Sequence, residues 1–348
     1  MKKLLLPAIA SIALMSIASC SEDFKIAAPY KSITVVYGLL DQADTAHYVR
    51  IEKAYLDQNK SAITMAKNPD SIYYQNLNVH VDVINSGIII KSIPLKKVDL
   101  ALEGYPRDSG SFPTGPNYAY KFTDHLDGTS IYRLVINNPV TGETDSAETQ
   151  IISEDPSGYS IPFFTVLLPF SISSTSPNST FSVNGFLPTG TATVQGIIRF
   201  HWVDKDNGSG KETDRYGDWP FANSVLNSGS TSFNLKVKNS DFYYAMLNIM
   251  GPTPTGISRY IDSSDMYLYM GSADLNTYQQ IASVQNTGLT GDEIKPNYTN
   301  IKGANVLGLF TARGVLIDHN IPFDNVSVDS LMTNPITIPI DIQGRSDH

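Results

Sequence analysis

The sequence predicts a mainly β protein, with an amino-terminal immunoglobulin-like β-sandwich followed by a second β-sandwich or barrel-like domain carrying one short helix. Three observations predict it. Short β-branched and aromatic runs recur along the 348 residues, divided by Gly, Pro, Asn and Asp turns. Charged residues are sparse at 17% while Tyr, Gly and Pro are plentiful, a balance of exported β-proteins rather than of helical cytosolic enzymes. The single cysteine allows no disulfide within the chain, so stability has to come from packed cores.

From Ser32 the runs are "SITVVYGLL", "HYVRIEKAYL", "LNVHVDVIN" and "GIIIKSIPL". In "NVHVDV" the valines Val79, Val81 and Val83 alternate with His80 and Asp82, so one face is buried and the other wet. "NSG" at 85–87 reads as a hairpin turn in which Gly87 supplies a positive φ. The turn-rich "GYPRDSGSFPTGPN" precedes "YAYKFTD", "TSIYRLVIN" and "GETDSAETQII", which complete six or seven strands and a first domain over 32–152.

"SEDPSGYS", 153–160, strings Pro and Gly among polar groups and marks the boundary; the second domain spans 158–348. Its strands are expected at "PFFTVLLPFSIS", "STFSVNGFL", "TATVQGIIRFHWVD", "STSFNLKVK", "FYYAMLNIM" and "MYLYMGS", then at "NYTNIKGANVLGLFTARGVLID" and "NPITIPIDI". The one helix is expected in "SADLNTYQQIASVQ", with Ser272 as cap and Leu275, Tyr278 and Ile281 at helical spacing. Tyr73 with Tyr74, and Tyr243 with Tyr244, read as strand residues on alternate faces. There is no internal repeat.

The amino end reads as a signal peptide over 1–19: Lys2 and Lys3, then "LLLPAIASIALMSIAS", too short and too breakable at Pro7 for a comfortable membrane span. "IASC" resembles the lipobox of bacterial lipoproteins, which implies diacylation of the Cys20 thiol and cleavage on its amino side, leaving a lipidated tether over 20–31. Each buried methylene adds about 0.8 kcal/mol, so several acyl chains anchor stably without a transmembrane helix. Glu22 and Asp23 in "CSEDFK" resemble the acidic export signal that sends Bacteroidota lipoproteins to the outer leaflet of the outer membrane. Loss of Lys2 and Lys3 moves the formal charge from −9 to −11, with no basic cluster to offset it. Such a field repels polyanions and excludes a nucleic-acid partner.

The order of parts resembles a family of uncharacterised Bacteroidota outer-membrane lipoproteins. The likeness is carried by the lipobox and tether, "ITVVYGLL", "GTSIYRLVIN", "YLYMGSADLNTYQQI" and a late "NIKGANVLGLFTA", and it covers nearly the whole mature chain. It implies an accessory of a TonB-dependent receptor, and it supplies no catalytic residues.

For chemistry, the histidines His47, His80, His125, His201, His319 and His348 show no HExxH spacing. Asp204 and Asp206 in "DKDNGSGKETD" offer oxygens to calcium, but the EF-hand register puts Ser209 and Arg215 where glycine and glutamate belong, so a solvated hairpin loop is the better reading. Lys205 replaces the first glycine of a P-loop. No cofactor is expected. The aromatics of "DRYGDWPF", Tyr216, Trp219 and Phe221, with Trp202 on the preceding strand, form the candidate binding loop, set against the plainer reading that Trp219 folds onto its own core. The triplets "DTA", "DSI", "DSA" and "DSL" each set a hydroxyl between an acid and an apolar residue. They resemble Bacteroidota O-glycosylation acceptors, expected at Thr45, Ser71, Ser146 and position 329, and such acceptors belong on exposed loops. The leading function is a non-enzymatic lipoprotein partnering an outer-membrane receptor. The alternatives are a glycan-binding or adhesive surface protein, and a hydrolase in which His201 or His319 meets an acid in a pocket.

Overall fold

The structure is a computed structural model and describes residues 33–54, 62–110, 113–154, 168, 170, 178–227, 229–286 and 298–343. Cys20, Glu22 and Asp23 lie outside the described residues. The first half contains β1 (Ile33–Asp41), β2 (Ala46–Ala54), the short helices α1 (Ala62–Ala66) and α2 (Pro69–Ile72), β3 (Asn78–Asn85), β4 (Ile88–Pro94), β5 (Lys96–Asp99), β6 (Tyr118–Thr123), β7 (Ile131–Asn137) and β8 (Thr144–Gln150). The second half contains β9 (Thr180–Phe186), β10 (Thr193–Asp206), β11 (Glu212–Val225), β12 (Ser232–Lys238), α3 (Asn239–Met250), β13 (Ile257–Gly271), α4 (Ala273–Asn286), β14 (Val306–Ile321), α5 (Asn325–Thr333) and β15 (Ile342–Gln343). The protein is mainly β, as the sequence predicts.

Three sheets organise these strands. A nine-stranded sheet runs β11-β10-β13-β14-β1-β2-β6-β5 with β15 beside β13; a four-stranded sheet runs β4-β3-β7-β8; β12 and β9 form a pair. The four-stranded sheet packs on the β14-to-β6 part of the large one. Between them Val36, Leu40, Val81, Leu134, Phe310 and Ala312 have no measurable exposure. The valines read in "NVHVDV" face inward, with Val79, Val81 and Val83 all in this core, but the face expected to be wet is not, since Asp82 is buried and His80 half-buried. Ser86 (φ 50°) and Gly87 (φ 80°) form the two-residue turn between β3 and β4, both in the left-handed region that a tight hairpin of this twist demands.

Two cores divide the chain between Ile151 and Ile152, yet the sheet does not stop there. β1 pairs in parallel with β14, from Thr34↔Val306 to Asp41↔Arg313, and Arg313 Nε donates to Asp41 Oδ2 at 2.8 Å where the pairing ends. The halves expected as separate sheet systems therefore share one sheet, and Ile301, Val306, Phe310 and Ala312 from the carboxyl-terminal part fill the first core. Gly308 makes the close approach feasible. Its φ is +123°, and a Cβ there would lie 1.8 Å from the carbonyl oxygen of Val36.

The second half is more helical than its sequence suggested. "FYYAMLNIM", expected as a strand, lies in α3, where Phe242, Met246 and Met250 recur every four residues on the buried face and Tyr244 points to solvent. The run is apolar enough for a strand, but its period is that of a helix packed on a sheet. Gly251 (φ 63°) ends the helix by donating its N–H to the Leu247 carbonyl at 2.9 Å. Tyr243 and Tyr244 are thus helical neighbours, and Tyr73, expected in a strand with Tyr74, is the C-cap of α2. α5 was unforeseen and is capped by Asp324, which accepts from the Ser327 N–H at 2.5 Å. α4 forms where expected, with Ser272 Oγ accepting from the Leu275 N–H at 3.2 Å.

Gly308→Ala should lower folding stability by about 3 kcal/mol or more, because its Cβ would clash with the Val36 backbone and its φ of +123° strains any residue with a side chain. Gly87→Ala, at an open turn with nothing within 4 Å, should cost about 1 kcal/mol. Urea unfolding of both variants beside the wild type checks the difference; equal losses would mean that the β1–β14 approach is not the tight constraint.

Candidate functional site

Strand alternation sorts the residues of β10 and β13 between two environments. Val194, Ile198, Phe200 and Trp202 of β10, with Met266, Leu268 and Met270 of β13, face the second core. Between them Arg199, His201, Tyr267 and Tyr269 stand on the opposite, outer face, which β11 and β14 extend with Tyr216, Asp218, Ile317 and His319.

This arrangement breaks up the candidate binding loop. Residues 216–221 are not a loop but the middle of β11, and three of the four aromatics turn inward. Trp202 and Phe221 are buried, and the Trp219 ring packs among Phe170, Phe200, Phe221 and Phe242 at centroid distances from 5.9 to 6.2 Å. Gly217 and Pro220 misled the sequence reading because both usually punctuate turns. Here a Cβ at Gly217 would lie 2.2 Å from Ile249 Cγ2, so the glycine admits α3 against the sheet. Pro220 is tolerated because β11 is an edge strand, and the register slips beside it: Gly196 pairs with Ala222 but Ile197 with Pro220, leaving Phe221 as a bulged residue. Its ring fills the space that a Cβ at Gly196 would occupy, 2.4 Å away. Only Tyr216 of the four remains exposed, at 65%.

On the outer face Tyr216 belongs to a different set. The Arg199 guanidinium lies 4.7 Å from the Tyr216 ring and 5.1 Å from the Tyr267 ring, held between two aromatic faces. It grips Asp218 with two parallel bonds, Nε to Oδ1 at 2.7 Å and Nη2 to Oδ2 at 2.9 Å, and its Nη1 donates to the Tyr267 hydroxyl at 3.3 Å. These bonds hold the Asp218 carboxyl below the usual carboxylate range. Tyr269 continues the row, its ring nearly parallel to that of Tyr267 (13°) at 6.1 Å.

Beside the row Asp265 joins three strands. His201 Nε2 lies 3.0 Å from its Oδ2, His319 Nδ1 lies 3.3 Å from its Oδ1, and the Asn320 N–H donates to Oδ1 at 3.1 Å. Asn320 takes φ 57°, a left-handed conformation that asparagine accepts more readily than most residues, and this aims its N–H at the carboxylate. Burial alone would raise the Asp265 carboxyl; the Asn320 N–H and the two imidazoles outweigh it, and the net shift is downward. Both histidines named for a hydrolase therefore meet an acid. They do so on an open sheet face, and the neighbouring Ser264 hydroxyl is buried and donates to the Ile321 carbonyl at 2.9 Å.

The calcium candidates are engaged otherwise. Asp204 receives Arg259 through Nε at 2.7 Å and Nη2 at 3.2 Å, and Asp206 Oδ1 accepts from the Gly208 and Ser209 N–H groups at 3.0 and 2.6 Å, folding its own turn. Among the described residues no group of His, Cys, Asp and Glu is arranged to hold a metal. A cavity of about 480 Å³ lies in the first half, between Ile93, Lys96, Lys121 and Phe122, and neither His201 nor His319 lines it.

Of the glycosylation candidates, Thr45 is exposed just before β2, as a loop acceptor should be. Ser71 is half-buried in α2, and Ser146 sits within β8 with its backbone paired to Lys302. The acceptor expected at position 329 needs two corrections. That position holds Asp329, the acid of the "DSL" triplet, which has no hydroxyl to glycosylate; the serine is Ser330, one residue further on. Both lie in α5 rather than on a loop, with the Asp329 carbonyl accepting from the Thr333 hydroxyl at 2.8 Å and Ser330 half-buried. The loop expectation therefore holds for Thr45 and fails for the other three.

No family model matches the chain, and no curated protein does. Solved structures do match. CBD12 from CALX1.2 is 10% identical, with 83% of this chain and all of that chain covered and a TM-score of 0.19. The carboxyl-terminal globular domain of an oligosaccharyltransferase from Pyrococcus abyssi is 11% identical, with 68% of this chain and 49% of that one covered, also at 0.19. Similarity at this level carries no argument about function.

Asp265→Asn should lower stability by about 2 kcal/mol at pH 7, since it removes the charge that three donors converge on. The folded carboxyl titrates below its unfolded value of about 3.9, so its contribution is complete above that pH and is lost as pH falls through the folded value. Denaturation at pH 7 and pH 3 should show the gap between wild type and variant narrowing in acid; a constant gap would deny the carboxylate this role.

Proposed function

We propose that this chain is a non-enzymatic lipoprotein, held on the outer membrane by acylated Cys20 and facing the cell exterior. In this reading it binds a receptor protein of that membrane through the outer face of β11, β10, β13 and β14. The observation that carries the docking face is the Tyr216–Arg199–Tyr267 sandwich. Tyrosine and arginine dominate binding hot spots because they combine large contact area with few freely rotating bonds. Here Asp218 and the flanking rings fix the guanidinium in advance, so little side-chain freedom is left to lose on association. Tyr216, Tyr269 and Ile317 add exposed apolar area around it.

The geometry weighs against the alternatives. A glycan platform at 216–221 needs exposed coplanar rings, whereas Trp219 and Phe221 turn inward and their planes differ by 52°. A hydrolase would draw on His201, Asp265 and His319, which stand on an open face beside a buried serine.

Tagged chain recovered from mildly solubilised outer membranes should bring down a TonB-dependent receptor in stoichiometric amount. Cys20→Ala should lose the membrane fraction, while Tyr216→Ala with Arg199→Ala should keep it and recover at least tenfold less receptor, the loss expected of a hot-spot pair. Wild-type protein that emerges alone would end the receptor reading.

A further inference from the structure

We infer that the end of the first sandwich where the chain enters β1 rests on the bilayer surface, with Leu102, Tyr105 and Val140 as its apolar contacts. The inference rests on the lipid-anchored reading and adds an orientation to it. The register identifies this end. Ile33 opens β1 opposite Ala54, the last residue of β2, and β6 begins at Tyr118 on the same side, since Ala46 pairs with Thr123 and Val49 with Tyr120. Tyr118 pairs with Asp99, so the turn at 100–105 projects from this end. In the other sheet Asn78 pairs with Asn137, which sets the turn at 138–143 at the end where Tyr74 bonds Thr34 at 2.7 Å.

Leu102 is 89% exposed, Val140 83% and Tyr105 58%, although each turn is fixed by its own hydrogen bonds. The Tyr105 N–H donates to the Leu100 carbonyl at 2.8 Å and the Asn117 amide to the Tyr105 carbonyl at 3.0 Å; Asn138 Oδ1 accepts from the Val140 N–H at 3.0 Å. Rigid turns that present leucine, valine and tyrosine to water suit a lipid interface, where tyrosine is at home and the aliphatic groups leave water without further ordering.

The opposite end is also apolar, with Ile88, Ile89 and Ile90 exposed, so the choice between ends needs a further argument. The chain outside the described residues supplies it. It joins the sandwich at Ile33, and between Cys20 and that residue it reaches at most about 45 Å. Bringing Ile88 to the membrane would make it run back along β1, about 30 Å, which takes up about two-thirds of that reach and costs chain entropy that the near end does not. Charge agrees. Asp41, Asp44, Asp124 and Asp127 outnumber Lys91 and Arg313 at the far end, whereas at the near one Lys53, Lys67, Lys97 and Lys121 stand against Asp70, Asp99, Glu103 and Glu143, with Lys121 paired to Glu103. An anionic headgroup layer repels the far end more.

The test uses the full chain purified from outer membranes and carrying Leu102→Cys, Val140→Cys or Ile89→Cys. Each is labelled with a nitroxide maleimide and reconstituted in vesicles of phosphatidylethanolamine and phosphatidylglycerol. Relative to position 89, the labels at 102 and 140 should collide at least threefold less often with a water-soluble nickel chelate and more often with oxygen. Protection at 89 instead, or equal access at all three positions, overturns the orientation. The label count keeps the two readings apart: one nitroxide per chain means that the Cys20 thiol is blocked by lipid, and two mean that the anchor itself is absent and the orientation falls with it.

Discussion

The parallel pairing of β1 with β14 joins backbone near the start of the described chain to backbone near its end, closed by the side chains of Asp41 and Arg313, which are 272 positions apart. Every other element has its position relative to this seam. The first core is incomplete until Val306, Phe310 and Ala312 arrive from β14, and β13, β10 and β11 are laid down on the other side of the same strand. Such a contact repays its loop-closure entropy only when most of the chain is already gathered, which makes the two halves one cooperative structure despite their two cores. The absence of a side chain at Gly308 permits the seam, since any other residue would meet the Val36 carbonyl.

Across that seam the second half shows how one period-two pattern serves two purposes. In "IIRFHWVD" the residues facing in are Ile198, Phe200 and Trp202, which join Phe242 of α3 and Trp219 in an aromatic core. The residues facing out are Arg199 and His201. The core is tight enough to require glycine at Gly196 and Gly217, so the outer face is built on backbone with little freedom to shift. That rigidity lets a cation, two tyrosines and a carboxylate hold a fixed geometry while exposed to water.

The polar contacts of this face are largely satisfied within it. Asp218 neutralises Arg199, and Asp265 takes up three donors from β10 and β14. A surface with its charges paired in advance leaves fewer unpartnered polar groups to satisfy when it is covered. Charge also distinguishes the two ends of the first sandwich, being balanced near the chain entrance and acidic at the far end, and only the entrance is tied to the chain that carries Cys20.

The sequence by itself determined the β class, the turn at Ser86 and Gly87, the inward valines of β3 and the cap of α4 at Ser272. These rest on neighbours within a few residues, where propensity and period act directly. It also contained, unread, the four-residue spacing of Phe242, Met246 and Met250 and the alternation of Arg199 and His201 with buried aromatics. What only the tertiary structure decided is what those residues meet. Trp219 became core and Tyr216 surface because β11 is a bulged edge strand rather than a turn, and Asp265 met His201 and His319 because β13 lies between β10 and β14. Strand order and register are set by packing over long sequence distances, and no local pattern encodes them.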